Sequence, residues 1–263
     1  MIQSLQNDKV KRVMRLQDKR GRQRFGQFVV EGAREIGRAL ASGFQLDYLL
    51  VHKPLAVSSE AHDVLVRVSP EQVDDVAAPP FQKMAVREQR DGLIAVFRTR
   101  SMTLAELTHP APGFYVVLDQ VEKPGNLGAV LRSVDGAGLD GIILLGSSVE
   151  TWNPNVIRSS VGTVFSLPVV TATDEEFADF LASHPDLPSW AVSPEAEQTY
   201  FTTDLTAKSG LMLFGSEAHG LRPQWKARVS SQLAIPMRGL ADSLNLSVSV
   251  ALLAYERLRQ LAS

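Results

Sequence analysis

Apolar positions along this chain follow two rhythms, and the changes between them outline its elements. Residues 114–118 (F-Y-V-V-L), 141–145 (G-I-I-L-L), 211–214 (L-M-L-F) and 233–235 (L-A-I) are short runs without a charged residue. Runs of this length that stay apolar throughout suit strands buried on both faces, as in a parallel sheet. W-A-V-S at 190–193 reads as a further strand. Between these runs the spacing becomes helical: after N-L-G, where Asn126 is a plausible N-cap, within N-P-N-V-I-R-S-S-V-G-T-V-F-S-L-P-V-V, which gives a helix and then a strand-like exit, and over 174–184. From Ser243 onward Leu244, Val248, Ala251, Leu252 and Tyr255 fall on one stripe.

The first hundred residues alternate similarly on a smaller scale. Val10, Val13 and Leu16 or Gln17 mark an amphipathic helix, residues 28–30 a strand, and Glu31 opens a second helix. Residues 48–51 and 92–97 are strands, H-D-V-L-V-R-V is a helix or strand, and S-P-E-Q-V-D-D-V reads as a capped helix. This predicts a small α/β domain over 1–100 and a linker over 101–113, which holds two prolines. A mainly parallel α/β domain over 114–263, with helices on both faces, follows.

Composition changes this picture little. A chain of 263 residues with 44% hydrophobic and 21% charged positions can bury one large or two smaller cores. There is no cysteine, hence no disulfide or cysteine-ligated zinc, and no apolar run long enough to span a membrane. The N-terminus M-I-Q-S-L-Q-N-D-K lacks the apolar core of a signal peptide, so the cytoplasm is the expected compartment. The net charge of −2 hides an asymmetry: residues 1–38 carry ten Lys/Arg against four Asp/Glu, and residues 110–263 ten against sixteen. The basic run at 9–24, including Arg20, Arg22 and Arg24, has the footprint of a phosphate-binding segment. A solvated basic helix is the competing reading.

Candidate chemistry clusters where apolar runs end. Gly215, Ser216 and Glu217 follow one run, and Ser243 and Asn245 open the last helix. Carboxyl ends of strands are where open α/β sheets bind ligands. The G-N-L-G turn near Asn126 fails the spacing of both nucleotide fingerprints. The five histidines show no metal-ligand spacing, and G-S-E-A-H-G is not a nucleophile elbow, so no metal and no hydrolase chemistry is expected.

N-L-G-A-V-L-R, F-G-S-E-A-H-G-L and I-P-M-R-G-L-A-D-S-L-N-L-S-V-S-V-A together resemble the three motifs of the SpoU/TrmH family. Its members are S-adenosylmethionine-dependent RNA ribose 2′-O-methyltransferases of the SPOUT class. Leu246, where valine is usual, and Ser249 depart from the pattern without touching a polar position. The resemblance implies a trefoil knot, with the chain after Ile235 threaded through an earlier loop, and a homodimer packed through the last helix. It implies a cofactor pocket at Gly215, Ile235 and Leu244, walled by Leu213 and Met237. It makes Arg132 catalytic, described as a base in the family, although a charged guanidinium more naturally stabilises a developing alkoxide. Asn126, Glu217, Ser243 and Asn245 match the remaining catalytic positions, while Arg158 and Ser160 match a phrase near the RNA side. R-F-x-x-E-G-A-R-E-I looks like the family's substrate-binding domain, which resembles ribosomal protein L30e. The expected substrate is ribosomal RNA; transfer RNA, or a non-catalytic RNA-binding role on the same fold, are the alternatives.

Overall fold

The computed structural model describes residues 1–86, 91–107 and 113–262. In chain order the first half forms α1 (Asp8–Leu16), α2 (Lys19–Phe25), β1 (Gln27–Glu31), α3 (Ala33–Ala41), β2 (Leu46–Val51), α4 (Ser59–Arg67), β3 (Val73–Asp75), α5 (Ala78–Met84) and β4 (Leu93–Arg98). Next come α6 (Leu104–Leu107), β5 (Phe114–Asp119), α7 (Pro124–Gly136), β6 (Gly141–Leu145), α8 (Pro154–Ser159), β7 (Val169–Ala172), α9 (Asp174–Ser183) and β8 (Ser189–Val192). The chain closes with β9 (Gly210–Phe214), α10 (Pro223–Lys226), β10 (Ser231–Leu233) and α11 (Leu246–Leu261). Among the described residues no helix is long and apolar enough to cross a membrane.

Two compact units result. One comprises Met1–Arg100 with Glu150–Ser166, the other Ser101–Val149 with Leu167–Ser263. The segment Glu150–Ser166, read from sequence as part of the C-terminal domain, thus packs with the N-terminal unit. The physical reason is aromatic. Trp152 stacks on Phe28 of β1 with ring centroids 4.7 Å apart, and Phe165 stacks on the same ring at 6.0 Å.

In the N-terminal unit the sheet order is β1-β4-β2-β3, antiparallel except for the β2–β3 pair. Val10, Val13 and Leu16 of α1, with Phe81 and Met84 of α5, bury Val29, Leu50, Ile94 and Val96 on one face. H-D-V-L-V-R-V is helical, its N-terminus capped by Ser58 Oγ, which accepts from Ala61 N at 3.1 Å. S-P-E-Q-V-D-D-V is not a helix. Its proline supports one 3₁₀ turn, Pro70–Gln72, after which Val73–Asp75 pairs with β2. Val73 and the pairing with β2 outweigh the capping signal there, although the two aspartates are poor strand formers.

The C-terminal unit is a six-stranded, all-parallel sheet of order β10-β8-β9-β5-β6-β7. β5, β6 and β9 are buried at every position, as their unbroken apolar runs require. Tyr115, Val117, Ile143, Leu211 and Leu213 face α6, α9 and Trp225 of α10. Alternate residues point to the opposite face, where Arg257 of α11 lies over the Phe114 ring at 3.9 Å. The predicted linker is therefore partly structural, since Leu104 and Leu107 of α6 are buried in this core.

Helix starts differ from the sequence reading in two places that matter for the site. α7 begins at Pro124 with Lys123 as N-cap, so Asn126 lies inside the first turn and does not cap it. α11 begins at Leu246, capped by Asn245 and not by Ser243. Its buried residues are Leu246, Val250, Leu253, Ala254 and Arg257, whereas Val248, Leu252 and Tyr255 of the predicted stripe are exposed.

Candidate active site

Strands β8, β9 and β10 end around one cleft of about 430 Å³, within the roughly 300–1,000 Å³ of small-molecule sites. Gly215, directly after β9, makes its shape possible. A Cβ on that residue would lie 1.8 Å from the Gly220 carbonyl carbon and 1.9 Å from Leu221 N. Only glycine lets the loop fold back this closely. Ser216 and Gly220 then exchange backbone hydrogen bonds at 3.1 and 2.9 Å, with Gly220 in the left-handed region at φ +65°. The expected pocket residues Gly215, Ile235, Met237 and Leu244 all line this cleft. Leu213 does not. It is fully buried beneath the loop in the core shared with Val117 and Ala191, because its strand position points it to the opposite face of the sheet.

Around Glu217, which lines the cleft, three distant segments meet. Asn126 Nδ2 of α7 donates to Glu217 Oε1 at 2.9 Å, and Asn245 Nδ2 donates to the same oxygen at 2.6 Å. Asn245 Nδ2 also reaches Asn126 Oδ1 at 3.3 Å. Asn245 Oδ1 meanwhile accepts from Ser247 N at 2.9 Å and Ser247 Oγ at 2.7 Å, so one side chain both caps α11 and joins the cluster. The other Glu217 oxygen pairs with Lys123 Nζ. That ammonium, more than any other neighbour, holds the Glu217 carboxyl below its usual value; Asn126 and the Leu246 backbone add to this, and burial opposes it. Lys123 was not anticipated from the sequence. Its signal was present in E-K-P-G-N, three positions before Asn126, which is one helical turn.

Ser243 lines the cleft and is exposed. Arg132 stands further along α7, exposed, its side chain making no hydrogen bond or ion pair to another described residue. Among the described residues no group of His, Asp and Glu could hold a metal ion.

Two further polar clusters flank the cleft, neither expected from sequence. Arg222 donates from Nε to Asp119 at 2.9 Å and from Nη1 to Asp174 at 2.6 Å, tying the end of β5 to the start of α9. Ser193 and Glu195, just past β8, meet Lys226 of α10.

The predicted RNA-binding residues lie in the N-terminal unit and divide sharply. Arg20, Arg24 and Arg158 are exposed. Arg22 is only 3% exposed. It donates to the carbonyl oxygens of Leu16 at 2.8 Å and Gln17 at 2.7 Å and pairs with Glu150. Its guanidinium closes the turn between α1 and α2 and offers nothing to a phosphate. Ser160 is likewise fully buried, its Oγ donating to Ile157 O at 2.9 Å, and is a helix-end residue and not an RNA contact.

Comparison with known proteins places this geometry. Residues 113–255 match the model of the SpoU rRNA methylase family, and residues 7–95 match the MRM3-like substrate binding domain. The chain is 30% identical to a 23S rRNA (uridine(2479)-2′-O)-methyltransferase of Streptomyces viridochromogenes, over 91% of this chain and 85% of that protein. It superposes on a crystal structure of an RNA 2′-O ribose methyltransferase with a TM-score of 0.85 and 40% identity, covering 98% of each chain. An AdoMet-bound rRNA methyltransferase of Sinorhizobium meliloti gives a TM-score of 0.86 at 30% identity, over 100% of this chain and 98% of the other. The family match covers more than half of the chain, and the cleft, its glycine loop and the joined amides lie within it: the protein belongs to the SpoU rRNA methylase family.

Proposed function

We propose that this chain transfers a methyl group from S-adenosylmethionine to a ribose 2′-hydroxyl of ribosomal RNA. The observation that carries this reading is the convergence of Asn126 and Asn245 on Glu217, which lines one cleft together with Gly215, Ile235, Met237 and Leu244. The three side chains come from the first turn of α7, the loop after β9 and the start of α11, a convergence that a binding module would not need. The cleft fits the cofactor in kind: apolar side chains enclose a planar base, and Gly215 lets backbone amides approach closely. When bound, S-adenosylmethionine supplies an electrophilic methyl on a sulfonium.

The chain's own residues then have to align the hydroxyl behind the methyl carbon, exclude bulk water, stabilise the charge that develops on the oxygen and let the hydroxyl proton pass to solvent; alignment alone can save several kcal/mol, roughly 7–11 in favourable models. Glu217, kept ionised by Lys123, holds both amides in register and carries negative charge on the lining of the cleft. Ser243, exposed beside Asn245, is placed to hydrogen-bond the ribose. Arg132 presents an exposed guanidinium with a planar fork of donors, which suits it to the adjacent phosphate and the developing alkoxide.

Arg20 and Arg24 on α2 and Arg158 on α8 supply phosphate contacts on the substrate-binding unit. Val248, Leu252 and Tyr255 of α11, 45%, 37% and 50% exposed, are the face for a second copy, making a homodimer. The same reading has the chain after Ile235 threaded through an earlier loop, next to a segment, residues 193–209, that is bonded from two later elements. Ala234 bonds to Gln198 and Tyr200, and Gln260 of α11 bonds to Leu205 and Thr203. The cytoplasm, where ribosomal RNA is available, is the compartment this chemistry needs. Mapping 2′-O-methyl positions in total RNA with and without the gene tests the substrate. One site lost from ribosomal RNA is expected; a site lost from transfer RNA alone would overturn the ribosomal assignment, and no lost site the enzymatic one.

A further inference from the structure

The β8 side of the cleft carries a polar cluster that the roles above leave unused. Ser193, one residue past β8, lines the cleft although it is only 2% exposed. Its hydroxyl donates to Glu195 Oε2. Lys226 Nζ, from α10, donates to Ser193 Oγ at 3.0 Å and to Glu195 Oε2 at 3.2 Å. Both side-chain donors reach the same carboxylate oxygen, so Oε1 keeps its capacity to accept from a bound molecule. Glu195 and Lys226 line the cleft as well.

On the reading that this cleft holds S-adenosylmethionine, we propose that Glu195 accepts hydrogen bonds from the 2′,3′-diol of the cofactor's own ribose, with Ser193 and Lys226 positioning it. Three observations support the assignment. Glu195 follows β8, the strand beside β9, whose exit carries the glycine loop; an acid just past a strand of an open α/β sheet is a common reader of ribose hydroxyls. The charges of Glu195 and Lys226 are already matched to each other, so the cluster suits a neutral diol better than the charged amino-acid end of the cofactor. Ser193 first, and then Lys226, hold the Glu195 carboxyl below its usual value, which keeps it an acceptor at neutral pH.

Calorimetry with the full-length protein tests this through binding alone, using S-adenosylhomocysteine, 5′-methylthioadenosine and the 2′-deoxy and 3′-deoxy forms of the latter. Glu195→Ala and Glu195→Gln are expected to weaken S-adenosylhomocysteine and methylthioadenosine by the same factor, about tenfold or more for a lost charged hydrogen bond. Removing a hydroxyl from the ligand is expected to cost affinity in the wild type and nothing further in the variants. Because 74% of the Glu195 side chain is exposed, unchanged thermal melts should accompany both substitutions. Weakening of S-adenosylhomocysteine alone would assign the cluster to the amino-acid end and overturn the proposal, as would unchanged affinity for every ligand. A wild-type protein that binds none of these ligands would instead overturn the cofactor reading of the cleft.

Discussion

Asn245 donates to Glu217 at 2.6 Å across 28 residues of sequence, and through that bond the start of α11 is tied to the loop after β9. Asn126 reaches the same oxygen from α7. A carboxylate between two amides accepts from both and leaves one amide oxygen on Asn245 to cap the helix. Replacing Glu217 by alanine should release both amides and lower the methylation rate by ~100-fold, the scale of a misplacement near the reacting atoms. Single-turnover assays at saturating cofactor would check this; an unaltered rate would remove Glu217 from the site.

Arg132 separates binding from chemistry. Arg132→Ala should abolish methylation while S-adenosylmethionine still binds, because the cleft residues do not include it. Arg132→Lys keeps the charge but not the planar fork, so a loss of at least ~100-fold is expected if the guanidinium acts on a phosphate and an alkoxide. A lysine variant whose rate climbs with pH would favour a base instead.

The two faces of the basic segment should respond differently. Arg20→Ala with Arg24→Ala should weaken RNA binding and lower its salt slope by roughly one to two units, leaving thermal stability unchanged. Arg22→Ala should do the reverse. It removes a buried pair with Glu150 and two bonds to carbonyls, at a cost of about 2–3 kcal/mol. Denaturant melts beside a salt series distinguish the two.

Leu252→Asp with Tyr255→Asp should convert a dimer into a monomer at unchanged helix content, since both side chains are exposed on α11. Sedimentation velocity of the wild type and the variant is the measurement. A wild type that is already monomeric at micromolar concentration would refute the dimer.

Acid sensitivity follows from two carboxylates. Arg259, and then Gln260, pull the Glu256 carboxyl from its ordinary 4.5 down to about 2, and Lys123 lowers Glu217. A depressed folded-state value means the contribution is complete above the unfolded value and disappears as protons bind the folded form. Stability should therefore hold above pH 4.5 and decline from there toward about 2. Both groups are partly solvated, so the change should be small. Melting temperatures across that range, with Glu256→Gln flattening part of the slope, would show it.

The sequence by itself determined the layered architecture and most of the cleft. Unbroken apolar runs at β5, β6 and β9 can only be buried on both faces, and a parallel sheet covered on both sides follows from that local property. Gly215, Ile235, Met237 and Leu244 were legible because they stand in long motifs at strand exits. The tertiary structure decided everything that depends on which way a side chain turns. Arg22 reads like Arg20 and Arg24 in the sequence, yet carbonyls at the end of α1 and Glu150, 128 residues away, draw it inward. Val248, Leu252 and Tyr255 have the spacing of a core face, but α11 buries Val250, Leu253 and Ala254 instead. A helical stripe is defined only up to rotation until a partner surface selects it. Glu150–Ser166 joins the N-terminal unit because Trp152 finds the Phe28 ring, a contact between residues too far apart in sequence for any periodicity to report.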